Sequence, residues 1–106
     1  MQGYQITFFT IQDRMHKHLP LCEWLMQLAK ELGGGATMIA ATKGFGLDHK
    51  MHSVGFVELA DQPVEIKMVL NQVKTEQLFQ RLQAESINVF YTKLGVEFGM
   101  TAEQST

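Results

Sequence analysis

From Tyr4 to Ile11 the chain reads YQITFFTI, with apolar residues on both alternate sets: Tyr4, Ile6 and Phe8 on one, Phe9 and Ile11 on the other. Successive side chains of an extended segment point to opposite faces, so this run suits a central strand that is covered above and below. The chain has 106 residues, 45% of them hydrophobic, which fills one core once; a single domain over residues 1–106 is expected. Two layers of secondary structure cover one face of a central sheet and leave the other to be covered by something else.

The remaining periodicities say what those layers are. After the polar link QDRMHKH, Pro20 suits a first helical turn. Leu21, Trp24, Leu25, Leu28 and Leu32 then recur at helical spacing, with Lys30 in the last turn and Gly33 as terminator. Apolar runs predict a second strand over Ala36–Thr42 and a third over Ser53–Leu59, joined by the loop KGFGLDHKMH. After the turn ADQP, Val64, Ile66, Met68 and Leu70 alternate with Glu65 and Lys67, a fourth strand with one wet face. A second helix over Val73–Glu85 places Leu78 and Leu82 on one face with Phe79 beside them, and INVFYT supplies a last strand. The order β-α-β-β-α-β is that of an α+β, ferredoxin-like sandwich, two helices on one face of a four-stranded, mostly antiparallel sheet. The uncovered face is most simply buried against other copies of the chain in a closed ring. The tail GMTAEQST, from Gly99, is small and polar and is expected to be mobile.

Composition excludes several roles. Nine basic against eleven acidic residues give a formal charge of -2, against the broad positive field that neutralises nucleic-acid phosphates. No stretch approaches the roughly 18 apolar residues of a membrane span, and the opening MQGYQITFFT carries no positively charged leader. The single cysteine, Cys22, cannot form an internal disulfide, so a cytoplasmic protein is expected. There is no nucleophile elbow, Walker loop or paired-carboxylate signature, and nothing specifies an enzyme. Cys22 in a first helical turn could be an activated thiolate or a small buried hydrophobe.

Two constellations could carry chemistry. In Thr42-Lys43-Gly44-Phe45-Gly46 the glycines can adopt backbone angles closed to other residues, and successive amides could form an anion nest with Lys43 adding charge at its rim. A bland turn or bulge fits the same residues. The histidines His16, His18, His49 and His52 lie in two polar loops, MHKH and DHKMH, and are the candidate ligands of a metal site, although no cysteine pair or His-Glu-x-x-His helix accompanies them.

The run HLPLCEWLMQLAKELGGGATMIAATKGFG, followed by MHSVGFVELADQPVEIKMVLNQVKTEQLFQRL, resembles a PII-like family known as domain of unknown function 190 and, more distantly, the PII nitrogen-regulatory signalling proteins. The resemblance covers residues 4 to 92. Its most specific pieces are Pro20-Leu21 with Trp24, Gly35-Ala36-Thr37, and Lys43-Gly44-Phe45-Gly46, which is similar to the opening of the long T-loop of PII. It implies a PII-like homotrimer with clefts between neighbours that hold adenine nucleotides, and a loop that docks on a membrane transporter or another regulatory protein partner. Carried over, Thr37 lies near a base, Lys43 supplies charge, Gly44, Phe45 and Gly46 form the loop's base, and Asp48 stands where PII has a phosphate- and effector-sensing glutamine. PII has a second glycine-rich stretch after its second helix, whereas this chain reads Ala84-Glu85-Ser86-Ile87-Asn88 there, without glycine or lysine. The expected ligand is therefore an adenine nucleotide with few phosphates or a small anion such as bicarbonate, sensed at the subunit cleft and signalled through residues 47–52. The rival expectation is a metal-binding trimer similar to the divalent-cation tolerance proteins, and a third is an accessory subunit whose cleft binds nothing.

Overall fold

The structure is a computed structural model that describes residues 1–41, 43–45, 51–53 and 62–103. Strand β1 (Gln2–Ile11) runs into a two-stranded ribbon, β2 (Met15–His16) and β3 (Leu19–Pro20), and then helix α1 (Leu21–Glu31). Strand β4 (Gly35–Ala40), the paired short strands β5 (Lys43–Phe45) and β6 (Met51–Ser53), strand β7 (Pro63–Asn71), helix α2 (Gln72–Ala84) and strand β8 (Phe90–Glu97) follow. The main sheet has the order β4-β7-β1-β8 with every neighbour antiparallel. This is the ferredoxin-like sandwich.

Local chemistry accounts for the helix boundaries. Asn71 caps α2, its side-chain oxygen accepting the Lys74 amide at 2.8 Å, while Thr75 donates back to the Asn71 carbonyl. No side chain caps α1; the Leu21 amide donates instead to the Arg14 carbonyl at 2.7 Å, so the ribbon itself closes that end. Both helices finish in the same motif. Gly33 at φ +76° donates to Lys30 O and Gly34 to Ala29 O; Ser86 at φ +54° donates to Gln83 O and Ile87 to Leu82 O.

The core lies between the helices and one sheet face. Ile6 and Phe8 of β1 and Val64, Ile66, Met68 and Leu70 of β7 meet Leu21, Cys22, Leu25, Leu28 and Ala29 of α1 and Leu78 and Leu82 of α2, all buried. Each large side chain removed from water there contributes about 1.5–3 kcal/mol. Cys22 is wholly buried; burial first, then the Glu23 charge, pushes its thiol pKa up, so the hydrophobe reading holds and the thiolate reading does not.

Two strand boundaries differ from expectation. The last strand begins at Phe90, not Ile87, and runs on to Glu97, because Ile87 and Val89 are spent closing the end of α2 and packing on the core. Of the five strand segments expected, four make the main sheet. In the fifth region Lys43–Phe45 pairs with Met51–Ser53 as a separate ladder, so the expected loop starts in paired strand; residues 54–59 lie outside the described residues. The tail turns once as a 3-10 helix over Thr101–Glu103.

Register defines the second sheet face. Rows across β4, β7, β1 and β8 read Ile39-Glu65-Phe9-Phe90, Thr37-Lys67-Thr7-Thr92 and Gly35-Val69-Gln5-Leu94. Phe9 and Phe90 pair with ring centroids 5.5 Å apart, yet Ile39, Phe9, Phe90 and Leu94 are exposed in the single chain, Leu94 at 54%.

Candidate functional site

Four strand ends meet at one end of the sheet. There β1 ends at Ile11 opposite Pro63, β4 ends at Ala40 opposite Val64, and β8 starts at Phe90 opposite Phe9. The ribbon 15–20, the turn after α2 and both ends of the segment that carries Lys43-Gly44-Phe45 therefore lie together. The roots of that segment are fixed by backbone bonds: Ala41 N–H donates to Pro63 O at 2.8 Å, and Gln12 N–H donates to Gln62 O at 2.9 Å. Beyond the first root, Lys43 pairs with Ser53, Gly44 with His52 and Phe45 with Met51. Gly46, Asp48 and His49 lie outside the described residues. Thr37 is on β4, on the open sheet face, exposed and opposite Lys67 of β7.

The ribbon carries a polar cluster that sequence reasoning missed. His16 Nε2 and Lys17 Nζ both lie 2.8 Å from Glu85 Oε1, and the Arg14 guanidinium donates to the Asn88 carbonyl. The imidazole stands edge-on to Trp24, centroids 5.1 Å apart, and the Arg81 guanidinium lies 6.0 Å from the same indole while pairing with Glu31 at 3.2 Å. Hydrogen bonding from Lys17, then from His16, holds the Glu85 carboxyl below the usual carboxylate range. The partners His16 and Glu85 are 69 positions apart, beyond any local pattern; the one available signal was an acid at the end of a helix, where the dipole disfavours it.

Of the four candidate metal ligands, His16 is engaged by Glu85 and His18 is exposed in the ribbon turn. Among the described residues no group of three His, Cys, Asp or Glu side chains could hold a metal. An open groove of about 500 Å³, lined by Met26, Lys30, Gly34 and Ala36 among others, lies at the opposite end of β4 and contains none of the candidate residues.

Comparison with known proteins places this arrangement. The model of the family DUF190, described as uncharacterized ACR, matches residues 3–93. The chain belongs to the DUF190 family. No curated protein matches it. Among solved structures, this DUF190 chain is similar to a protein from Thermus thermophilus described as a PII-like signalling protein, with 21% identity, TM-score 0.64, and 90% of this chain and 87% of that one covered. It is also similar to CPII of Thiomonas intermedia K12, a nitrogen regulatory PII-like protein bound to ADP, AMP and bicarbonate, with 17% identity, TM-score 0.68, and 96% and 92% covered. The same protein bound to ADP and bicarbonate gives 15% identity, TM-score 0.65, and 96% and 93% covered. At these identities the likeness is one of fold, and the PII-like fold expected from the sequence is the fold observed.

Proposed function

We propose that the protein is a non-enzymatic, PII-like regulator that assembles as a trimer and senses an adenine nucleotide of few phosphates, or a small anion such as bicarbonate, at the clefts between subunits. The observation that carries this reading is the PII-like fold with the Lys43-Gly44-Phe45 strand leaving the sheet end beside Ala41, in a family whose fold-mate CPII is described bound to ADP, AMP and bicarbonate. Lys43 supplies charge, Gly44, Phe45 and Gly46 supply backbone amides, Thr37 lies near the base, and Asp48 stands in the sensing position of the loop. Residues 47–52 signal to a protein partner, a membrane transporter or another regulator. The physical logic is population shift: a ligand that contacts the loop base in one conformation biases the loop toward it. The exposed apolar side chains of the second sheet face, the Phe9–Phe90 pair together with Ile39 and Leu94, support self-association, because each is stabilised by burial against another copy of the chain. A cytoplasmic setting follows from the same role.

The test is a thermal-shift and calorimetric screen of the purified protein against ADP, AMP, ATP, bicarbonate and divalent metals. A ligand binding only the native state stabilises it by about 2.7 kcal/mol at a hundredfold excess over Kd. The expected result is a shift with ADP, AMP or bicarbonate that Gly46→Val abolishes while the oligomer persists. Unchanged affinity in Gly46→Val overturns the site assignment, and a shift with metals alone favours the metal-binding trimer.

A further inference from the structure

Glu85 sits where two locally unfavourable choices meet. It is the C-cap of α2, where the helix dipole disfavours a carboxylate, and it is bound by Lys17, a non-glycine residue held at φ +59°. Strained backbone at a non-glycine residue persists where its surroundings over-determine it. The surroundings here are specific: Glu85 accepts from both His16 and Lys17, and Arg14, just ahead of the ribbon, is bonded to Asn88, three residues beyond Glu85. The ribbon is thus tied to the turn after α2 at His16 and Lys17, with Arg14 adding a third tie, while its root, Gln12, holds Gln62 at 2.9 Å. Gln62 is the residue that leads into β7, one side of the doorway through which the Lys43-Gly44-Phe45 segment leaves the sheet; Ala41, bonded to Pro63, is the other.

We propose that Glu85 is a positioning residue for the ligand site, acting through the ribbon: by holding His16 and Lys17 it fixes Gln12, and Gln12 fixes the Gln62 side of the doorway. This rests on the reading that the segment beyond the doorway bears the site. The groups facing the joint are His16 and Lys17 on the ribbon, Arg81 on α2 and Glu31 on α1, with Trp24 between His16 and Arg81; Arg81 is engaged by Glu31 and the indole, so the ribbon's hold on α2 runs through Glu85 and Asn88. A ligand or partner that draws on the doorway loads the Glu85 joint, and whatever loosens the joint loosens the doorway.

The experiment compares the full chain with Glu85→Gln, with Lys17→Met, and with the charge swap Lys17→Glu together with Glu85→Lys. Amide hydrogen exchange at Gln12 and Ala41 is read against the core amides of Ile6 and Met68, and affinity is read by calorimetry with ADP and with bicarbonate. Expected is exchange at Gln12 about tenfold faster in Glu85→Gln and Lys17→Met with core amides unmoved, a several-fold loss of affinity in both, and recovery in the swap. Lys17 is an exposed surface side chain, so its variant keeps the test open should Glu85→Gln fail to fold. Exchange at Gln12 that stays at the wild-type rate, or rises only in step with the core, overturns the relay. So does an affinity loss without a change at Gln12. Wild-type protein that binds neither probe sinks the ligand reading, while the exchange comparison still decides whether Glu85 holds the doorway.

Discussion

Gly3 offers a test whose sign the geometry decides. It pairs with Asn71 of β7 on one side and Val96 of β8 on the other. A methyl group placed on it meets the Leu70 carbonyl oxygen at 2.3 Å and Phe98 Cε1 at 2.7 Å, with Asn71 Cα at 3.0 Å. Comfortable carbon contacts lie near 3.5–4.0 Å, so the nearest obstacle must retreat by about 1 Å. That obstacle is backbone of β7, one of the two inner strands of the sheet, and cannot rotate away as a side chain does. Overpacking of this kind costs about 1–3 kcal/mol, and the upper end applies because backbone must move. Substituting glycine also reduces the freedom of the unfolded chain, a gain of about 0.4–1 kcal/mol, leaving a net loss of about 2 kcal/mol for Gly3→Ala. For a domain of this size that lowers Tm by roughly 8–16 °C. Gly95 is the control: it lies in β8, opposite Tyr4, and a methyl there meets nothing within 4 Å. Gly95→Ala keeps the unfolded-state gain and raises Tm by about 2–8 °C. Far-UV circular dichroism melts at one protein concentration read both. A Gly3→Ala melt within about 2 °C of wild type, or equal shifts in the two variants, refutes the strand spacing on which the reasoning stands.

Other outcomes follow from single residues. Ser86→Gly relieves a left-handed backbone at the end of α2 and raises stability by about 1 kcal/mol in urea denaturation. Leu94→Lys places a charge in the apolar face assigned to the trimer and reduces the particle to one chain by light scattering, with the circular dichroism spectrum kept. The Glu85 carboxyl is held below its ordinary range in the folded chain, so its joint is complete above that range and is lost as pH falls through the lowered value. Protection at Gln12, taken relative to Ile6, therefore declines as pH falls below the usual glutamate pKa of about 4.3.

The readable parts of this fold are those whose cause is local. Leucines at helical spacing ahead of Gly33 mark α1 because a stripe of that period has one buried face, and the alternation from Val64 to Leu70 marks β7 for the corresponding reason. The β8 boundary escaped because Ile87 and Val89 alternate with Asn88 as strand residues do. A short apolar run looks the same whether it caps a helix or enters a sheet; only the Ile87 bond to Leu82 O distinguishes them. The β5–β6 pairing escaped because glycine is a poor strand former and a bonded ladder leaves no periodic mark on three residues. At the candidate site, Lys43 to Gly46 were visible as a glycine-rich exit from a strand. His16 was visible as a candidate metal ligand and Lys17 only as a polar loop residue, since their partner Glu85 reaches them through the tertiary fold.

Trp24 is the only tryptophan in the chain, and its ring lies between the edge of His16 and the guanidinium of Arg81. The joint between ribbon and helices thus carries its own fluorophore, with no second indole to dilute the signal. Emission from the unlabelled protein reports at equilibrium, and on the stopped-flow time scale, whether the ribbon is seated.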